Sequence, residues 1–278
     1  MIEVHQFEEV RQIRMSREID GKPVYWVAAY LVDGLLVDTG CHYTAEELAG
    51  YLSGERITRA VNTHFHEDHV GGNHILRDRF GIPLYAHHDS IPLIAEKIYL
   101  YPYQETVWGQ PLPTSVEELP PVVETGTYTF HVIETPGHSV GHVALVEKTR
   151  GWCFSGDIFA REEMKFIRPE EDMGRTVKSM KTLMALDMDR LVLFTSVGKI
   201  IEDGRGALRK CTRYIEELAE RAADLRSRGF DVQGIMTELF GGEHPFADLT
   251  NGQYTTENLV RSVLKMKQPG DCGGGEGS

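Results

Sequence analysis

Residues 24–32 run unbroken through apolar and aromatic positions, pause at Asp33-Gly34, and resume with Leu35-Leu36-Val37. An apolar run of this length interrupted by Asp-Gly predicts two buried strands joined by a tight hairpin turn. The stretch from Thr44 to Leu48 then predicts a short helix, with Thr44 as N-cap and Glu47 as its capping-box partner. Beyond it, strand-like and helix-like patterns alternate. Helices are predicted over residues 72–79, 89–98 and 172–186, and strands over 57–62, 83–86, 128–134, 143–146, 152–154 and 191–194. Alternation of this kind predicts an α/β protein.

Two regions break the rhythm. Residues 99–125 fit neither period and carry Tyr99, Tyr101, Tyr103 and Trp108 among five prolines. A long irregular segment of this sort is either a lid or binding loop, or a surface loop anchored by its aromatics. In the last third, Leu208, Cys211, Ile215, Leu218, Ala222 and Leu225 recur at steps of three and four on a helix predicted to end near Gly229. That stripe reads as a docking face against the rest of the chain, with a homodimer seam as the alternative. A second C-terminal helix is predicted from about Thr256. The boundaries expected are a main domain over 1–203, a helical extension packed on it over 204–269, and a flexible glycine-rich tail over 270–278.

Composition narrows the functional classes. The 278 residues include 29 basic and 42 acidic side chains, a formal net charge of −13. An acidic surface repels phosphodiester polymers, so no nucleic-acid partner is expected. Residues 1–10 lack a basic segment followed by an apolar one, and no apolar run approaches membrane-spanning length, so neither a signal peptide nor membrane association is expected. The four cysteines, Cys41, Cys153, Cys211 and Cys272, are scattered, which suits reduced thiols in the cytoplasm.

The informative stretch is Asn62-Thr63-His64-Phe65-His66-Glu67-Asp68-His69-Val70-Gly71-Gly72. It places three histidines and an aspartate within six residues, after an apolar strand and before a glycine pair. Imidazoles and carboxylates that converge on one point are what a divalent metal ion requires. In an extended strand-end loop His64 and His66 face the same side, while Asp68 and His69 fall on the turn and reach a second position. Two later segments have the same character: Thr135-Pro136-Gly137-His138-Ser139-Val140-Gly141-His142 follows one predicted strand, and Ser155-Gly156-Asp157 follows another.

With Asp38-Thr39-Gly40 placed earlier, these segments resemble, in order, the motifs of the metallo-β-lactamase-fold hydrolases, the superfamily that includes glyoxalase II and lactonases. The resemblance implies a four-layer αβ/βα sandwich with extra C-terminal helices. It implies that His64, His66 and His138 bind a first metal, that Asp68 and His69 bind a second, and that Asp157 bridges the two. Asp38 is then a structural neighbour, and His142 supports the site without being a ligand. The family also supplies a last histidine after its final strand, where this chain has Val197, which cannot coordinate. Ser196, His87, His88 and His244 are the candidates to compensate.

The expected cofactor is one or two divalent ions, zinc foremost and iron as the alternative. A Lewis acid in such a set provides a water with pKa near ~7 and stabilises an oxyanion; Asp157 and Asp68 are the candidate proton acceptors. The leading expectation is therefore hydrolysis of a small ester, thioester or lactone. The alternatives are a mononuclear iron oxygenase acting on a sulfur compound, and a non-catalytic ligand-binding protein.

Overall fold

The structure is a computed structural model describing residues 1–267. The first half supplies strands β1 (Ile2–Phe7), β2 (Val10–Met15), the small ribbon β3 (Glu18–Ile19) and β4 (Lys22–Pro23), then β5 (Val27–Val32) and β6 (Leu35–Val37). A 3-10 turn at His42–Thr44 leads into α1 (Ala45–Leu52), β7 (Arg59–Val61), α2 (Glu67–Val70), α3 (Asn73–Phe80) and β8 (Leu84–Ala86). After α4 (Ile91–Ala95), α5 (Pro102–Val107) and β9 (Glu117–Glu118) comes a second series: β10 (Val122–Glu124), β11 (Thr129–Glu134), β12 (Val143–Glu147), β13 (Trp152–Gly156), α6 (Met173–Met184), β14 (Val192–Thr195) and β15 (Ile200–Ile201). The described chain closes with α7 (Gly204–Ser227), α8 (Val232–Phe240), α9 (Phe246–Leu249) and α10 (Thr256–Lys265).

These strands form a seven-stranded sheet, ordered β1-β2-β5-β6-β7-β8-β9, and a six-stranded sheet, β10-β11-β12-β13-β14-β15. Strand β5 is buried at every position, and its alternation separates two cores. Ala28, Tyr30 and Val32 face Phe130, Leu145, Phe154 and Phe194 of the second sheet. Val27, Ala29 and Leu31 face Leu48, Leu52 and Leu76 of α1 and α3. The far side of the second sheet, through Ala144, Val146, Cys153 and Leu193, packs on α6, α7, α8 and α10. Helix, sheet, sheet and helix are the four layers expected. The Tyr30 hydroxyl donates to the Thr195 carbonyl at 2.6 Å, tying the two sheets beside the edge where the site lies.

The stripe on α7 is buried within the chain: Leu208, Cys211, Ile215, Leu218, Ala222 and Leu225 all lie in the core shared with α6, α8 and α10. Among the described residues no helix is long and apolar enough to cross a membrane. The tail over 270–278 and Cys272 lie outside the described residues.

Several local expectations are corrected. Thr44 sits in the 3-10 turn with φ −108° and ψ 4°, so its side chain turns back to the Cys41 carbonyl and caps nothing in α1. Glu47 instead takes the N-terminal ammonium of Met1 at 2.8 Å. The helix expected over 89–98 is confined to Ile91–Ala95, with Pro92 in its first turn. Segment 99–125 contains α5, whose cap Tyr101 and Gln104 form a capping box. Trp108 is buried in the core under the first sheet. The polar-looking hairpin β1–β2 and the helices α8 and α9 had no sequence reading.

Candidate metal centre

Four of the segments that carry the histidines and carboxylates of the motifs begin where a strand ends. Asp38 follows β6, His64 follows β7, His138 follows β11 and Asp157 follows β13. Close packing holds the first motif in place. A Cβ on Gly71 would stand 2.2 Å from the backbone at Cys41 and His42, so only glycine lets the turn after His69 lie against that segment. Asn62 adds a brace, its amide donating to the His69 carbonyl at 3.0 Å.

The geometry brings His64, His66 and His138 together. His66 Nδ1 lies 3.0 Å from His64 Nε2 and 3.0 Å from His138 Nε2, so three ring nitrogens converge on one point. All three rings are buried. A second set, His64, His69 and Asp157, also has donor atoms within 4.8 Å of one another. Asp157 Oδ2 lies between the groups, 3.4 Å from His138 Nε2 and 3.8 Å from His69 Nε2. Asp68 stands a little aside, its Oδ2 3.6 Å from His69 Nε2, and His64 takes part in the second set where Asp68 was expected.

The far sides of the rings fix their orientation. His69 Nδ1 faces Asp38 Oδ2 at 2.9 Å, and Asp38 also accepts from Thr63 N at 2.8 Å. His138 Nδ1 faces Glu171 Oε2 at 3.3 Å, and Glu171 Oε1 accepts the Arg168 N–H at 2.9 Å. His142 is fully engaged: Nδ1 pairs with Thr135 Oγ1 at 2.8 Å, and Nε2 accepts the Asp157 N–H at 3.0 Å. Its ring supports Asp157 and has no nitrogen left to coordinate.

Electrostatics follow from burial and from crowding of like groups. Burial, and then the neighbouring histidines, hold His64 well below the usual imidazole range; burial and the Arg168 cation do the same to His66. Burial pushes His142 down to about 3. Burial also acts against charge on His69, but Asp68 and Asp38 outweigh it and raise that ring well above its usual value. His138 is raised in the same manner, with Glu171 overcoming burial. Burial pushes Asp68 up to about 6, whereas His69 and His138 overcome burial at Asp157 and hold it ionised.

The donor set fits a divalent ion. Neutral imidazoles with converging nitrogens are the coordinating form, and the second ring nitrogens of His64, His69 and His138 meet the Thr63 hydroxyl, Asp38 and Glu171, as ligating histidines require. The buried His69 Nε2 has no hydrogen-bond partner, an arrangement that costs free energy unless something meets it.

Val197 lies in the turn after β14, half-buried, and offers no donor, while the adjacent Ser196 Oγ donates to Asp157 Oδ1. Neither His87 nor His88 joins the centre; with Asp89 they form a separate, more exposed group. His244 lies tilted against the Phe166 ring, and its Nδ1 accepts the Phe246 N–H. Three residues around the site had no sequence reading, Glu171, Arg168 and Tyr254, and Tyr25, read only as part of the first apolar run, borders it as well. Arg168, buried, faces Glu67 at 3.4 Å and donates from Nε to the Tyr254 hydroxyl at 2.8 Å. Gln104 of α5 donates to the same Glu67 at 2.7 Å, so the irregular segment is anchored to the metal-motif turn. Arg168 and Glu171 lie in a charged run that reads as solvated surface, and no spacing signal distinguishes them.

The profile of the Metallo-beta-lactamase superfamily matches residues 27–195. The chain is 30% identical over 187 residues to the "Probable metallo-hydrolase YybB" of Bacillus subtilis, covering 67% of this chain and 77% of that protein. It is 24% identical over 152 residues to the "Hydroxyacylglutathione hydrolase GloC" of Haemophilus influenzae, covering 49% and 69%. A solved metallo-beta-lactamase family protein from Thermus thermophilus superposes with a TM-score of 0.63 at 17% identity, over 92% of this chain and 91% of that one, which shows a shared fold. With the four-layer architecture, the strand-end histidines and a match spanning more than half of its length, the chain belongs to the metallo-beta-lactamase superfamily.

Proposed function

We propose that the protein is a metal-dependent hydrolase of a small ester, thioester or lactone, holding one or two divalent ions, zinc in the first instance. The observation that carries this reading is the convergence of His64, His66 and His138 beside Asp157 and the unpartnered His69 Nε2. In this proposal His64, His66 and His138 hold one ion, and His69 with Asp157 and Asp68 contributes to a second position. The name of the Haemophilus relative, a hydrolase of an acylated glutathione, supports an acyl substrate.

A bound divalent ion supplies Lewis acidity, which acidifies water and stabilises negative charge on a carbonyl oxygen. The chain's own groups then manage the proton. Asp157 is fixed by Ser196 at Oδ1 and by His142 at its backbone N–H, so Oδ2 faces the reaction space in its ionised form. A water in that space gives its proton to Asp157 Oδ2 as its oxygen joins the acyl carbon. Asp157 then passes that proton to the departing alcohol or thiol as the acyl bond breaks. Asp68, its Oδ2 3.6 Å from His69 Nε2, stands beside that ring among the groups of the second position.

The test is metal content by elemental analysis, together with turnover of an ester, thioester, lactone and β-lactam panel. One or two ions per chain, and turnover lost in His66→Ala with the fold retained, are expected. Full metal loading with no turnover across the panel would overturn the proposal. Iron in place of zinc, with oxygen consumption on a sulfur compound, would replace it with an oxidative reaction.

A further inference from the structure

Beside the centre lies a cavity of about 110 Å³ whose lining includes His138, Asp157, Glu171, Tyr25, Arg161 and Tyr254. What such a space can bind depends on which of its polar groups still have a hydrogen bond to make, because a group already paired offers a ligand little. The acceptors are engaged. Asp157 Oδ1 takes the Ser196 hydroxyl, and its Oδ2 belongs to the second metal position. Glu171 takes the Arg168 N–H at 2.9 Å and faces His138 Nδ1 at 3.3 Å.

The donors are not engaged. Arg161 is held by packing, its guanidinium carbon 5.7 Å from the centre of the Phe166 ring. Among the described residues no carboxylate pairs with it, and the adjacent Glu162 faces Lys210 at 3.3 Å instead. The Tyr254 oxygen accepts the Arg168 Nε–H at 2.8 Å, which leaves its own O–H to donate. The Tyr25 hydroxyl makes no hydrogen bond among the described residues; only its backbone N–H is held, by Ser16 Oγ at 3.2 Å. Both phenols keep their protons. Desolvation raises each above the ordinary tyrosine range, with Asp157 and Asp68 adding to it at Tyr25. The Arg161 charge acts on the Tyr25 hydroxyl in the opposite sense, so that hydroxyl lies within reach of the centre's carboxylates and of the guanidinium alike.

A guanidinium and two phenolic hydroxyls with bonds to give, and no acceptor left to take them, are complementary to an anion. A guanidinium pairs a carboxylate through two parallel hydrogen bonds, and hydroxyl donors satisfy its remaining lone pairs. In a chain of net charge −13 this is a local arrangement and not a consequence of composition. We infer that the cavity is a carboxylate-binding site: the substrate carries a free carboxylate, separate from the acyl bond that is cleaved, which Arg161 pairs and Tyr25 and Tyr254 help to hold. The inference rests on the proposed hydrolysis and names its substrate class, an ester or thioester with a free carboxylate on its acyl half or on its leaving half.

Calorimetry on the intact metal-loaded protein tests the site by comparing succinate and glutarate with butyrate and valerate, acids of the same carbon number that lack the second carboxylate. A hydrogen-bonded charge pair strengthens binding by roughly 10–100-fold, so each diacid is expected to exceed its monoacid by that factor. Arg161 is exposed, so Arg161→Gln does not put folding at risk, and it is expected to bring the ratio close to one. Attraction of the extra charge to bound ions alone would survive that substitution. Tyr254→Phe, which keeps the ring beside Phe166 and Phe246, is expected to lower the ratio by about 2–10-fold. Turnover then locates the carboxylate. Monoethyl succinate against ethyl butyrate reads the acyl half, and the acetate ester of 3-hydroxypropionate against propyl acetate reads the leaving half. Preference for either charged ester, lost in Arg161→Gln, supports the site and identifies the half. No preference for diacids or charged esters, or a preference undiminished in Arg161→Gln, would overturn it. A diacid preference without turnover keeps the site and removes the proposed reaction, and turnover without any preference does the reverse.

Discussion

His69 Nδ1 lies 2.9 Å from Asp38 Oδ2, which commits that nitrogen to a carboxylate and leaves Nε2, buried and unpartnered, facing the reaction space. Asp38 does this from a left-handed backbone position, φ 61°, which asparagine also tolerates. Asp38→Asn therefore keeps the turn and the acceptor for Thr63 while removing the carboxylate that orients His69. We expect weaker metal affinity by roughly 10–100-fold on the His69 side of the centre, measured by competition with a chromophoric chelator.

Glu171→Gln is the matching experiment on the other side. It weakens the hold on His138, so the affinity lost is that of the three-histidine position. A biphasic chelator titration of the unaltered protein should lose its tighter phase in one variant and its weaker phase in the other. The same phase weakened in both would mean that the two carboxylates do not serve separate positions.

Metal affinity should depend steeply on pH. His69 and His138 are both raised above the ordinary histidine value. In the metal-free chain their protons stabilise the fold at pH below the unfolded value of ~6.5, and that contribution is lost as pH rises through the higher folded values. An ion must displace those protons, so its affinity moves the opposite way and rises with pH, by about tenfold per unit for each proton released. Chelator titrations across about pH 6 to 8 check the slope; a flat profile would show both rings already neutral.

His142→Ala separates support from coordination. Both ring nitrogens are engaged, and one of them accepts the Asp157 N–H. Removing the ring leaves buried groups unpaired, at a cost of about 1–3 kcal/mol in urea unfolding. The number of ions per chain should stay the same.

The buried pair of Glu67 and Arg168, 3.4 Å apart, involves the residue next to His66 in the chain and a cation whose charge acts on that ring. Arg168→Met leaves Glu67 charged and uncompensated, which should destabilise the fold by about 3–5 kcal/mol. Adding Glu67→Gln should recover much of that loss. A double variant no more stable than Arg168→Met would place the cost in the lost Tyr254 contact instead.

The centre's donors were legible in the chain because motif spacing is local: a strand that ends in His-x-His sets two rings on one side whatever surrounds it. The buried strands β5 and β6, the α/β layering and the α7 stripe were legible for the same reason, since periodicity reports which face is covered. What covers it is another matter. The stripe from Leu208 to Leu225 was compatible with a partner molecule until folding placed α6, α8 and α10 over it. Likewise Glu171 and Arg168 come from a charged run that looks solvated, and only the return of the chain past α6 and Tyr254 buries them against His138 and Glu67. His64, which local spacing assigns to one metal position, borders both, because the loops after β7 and β13, strands of different sheets, bring its ring within 4.8 Å of Asp157 as well. Sequence alone determined which residues have the chemistry. Tertiary structure decided which ring nitrogen is free and which carboxylate is held ionised, because those depend on desolvation and on contacts between segments far apart in the chain.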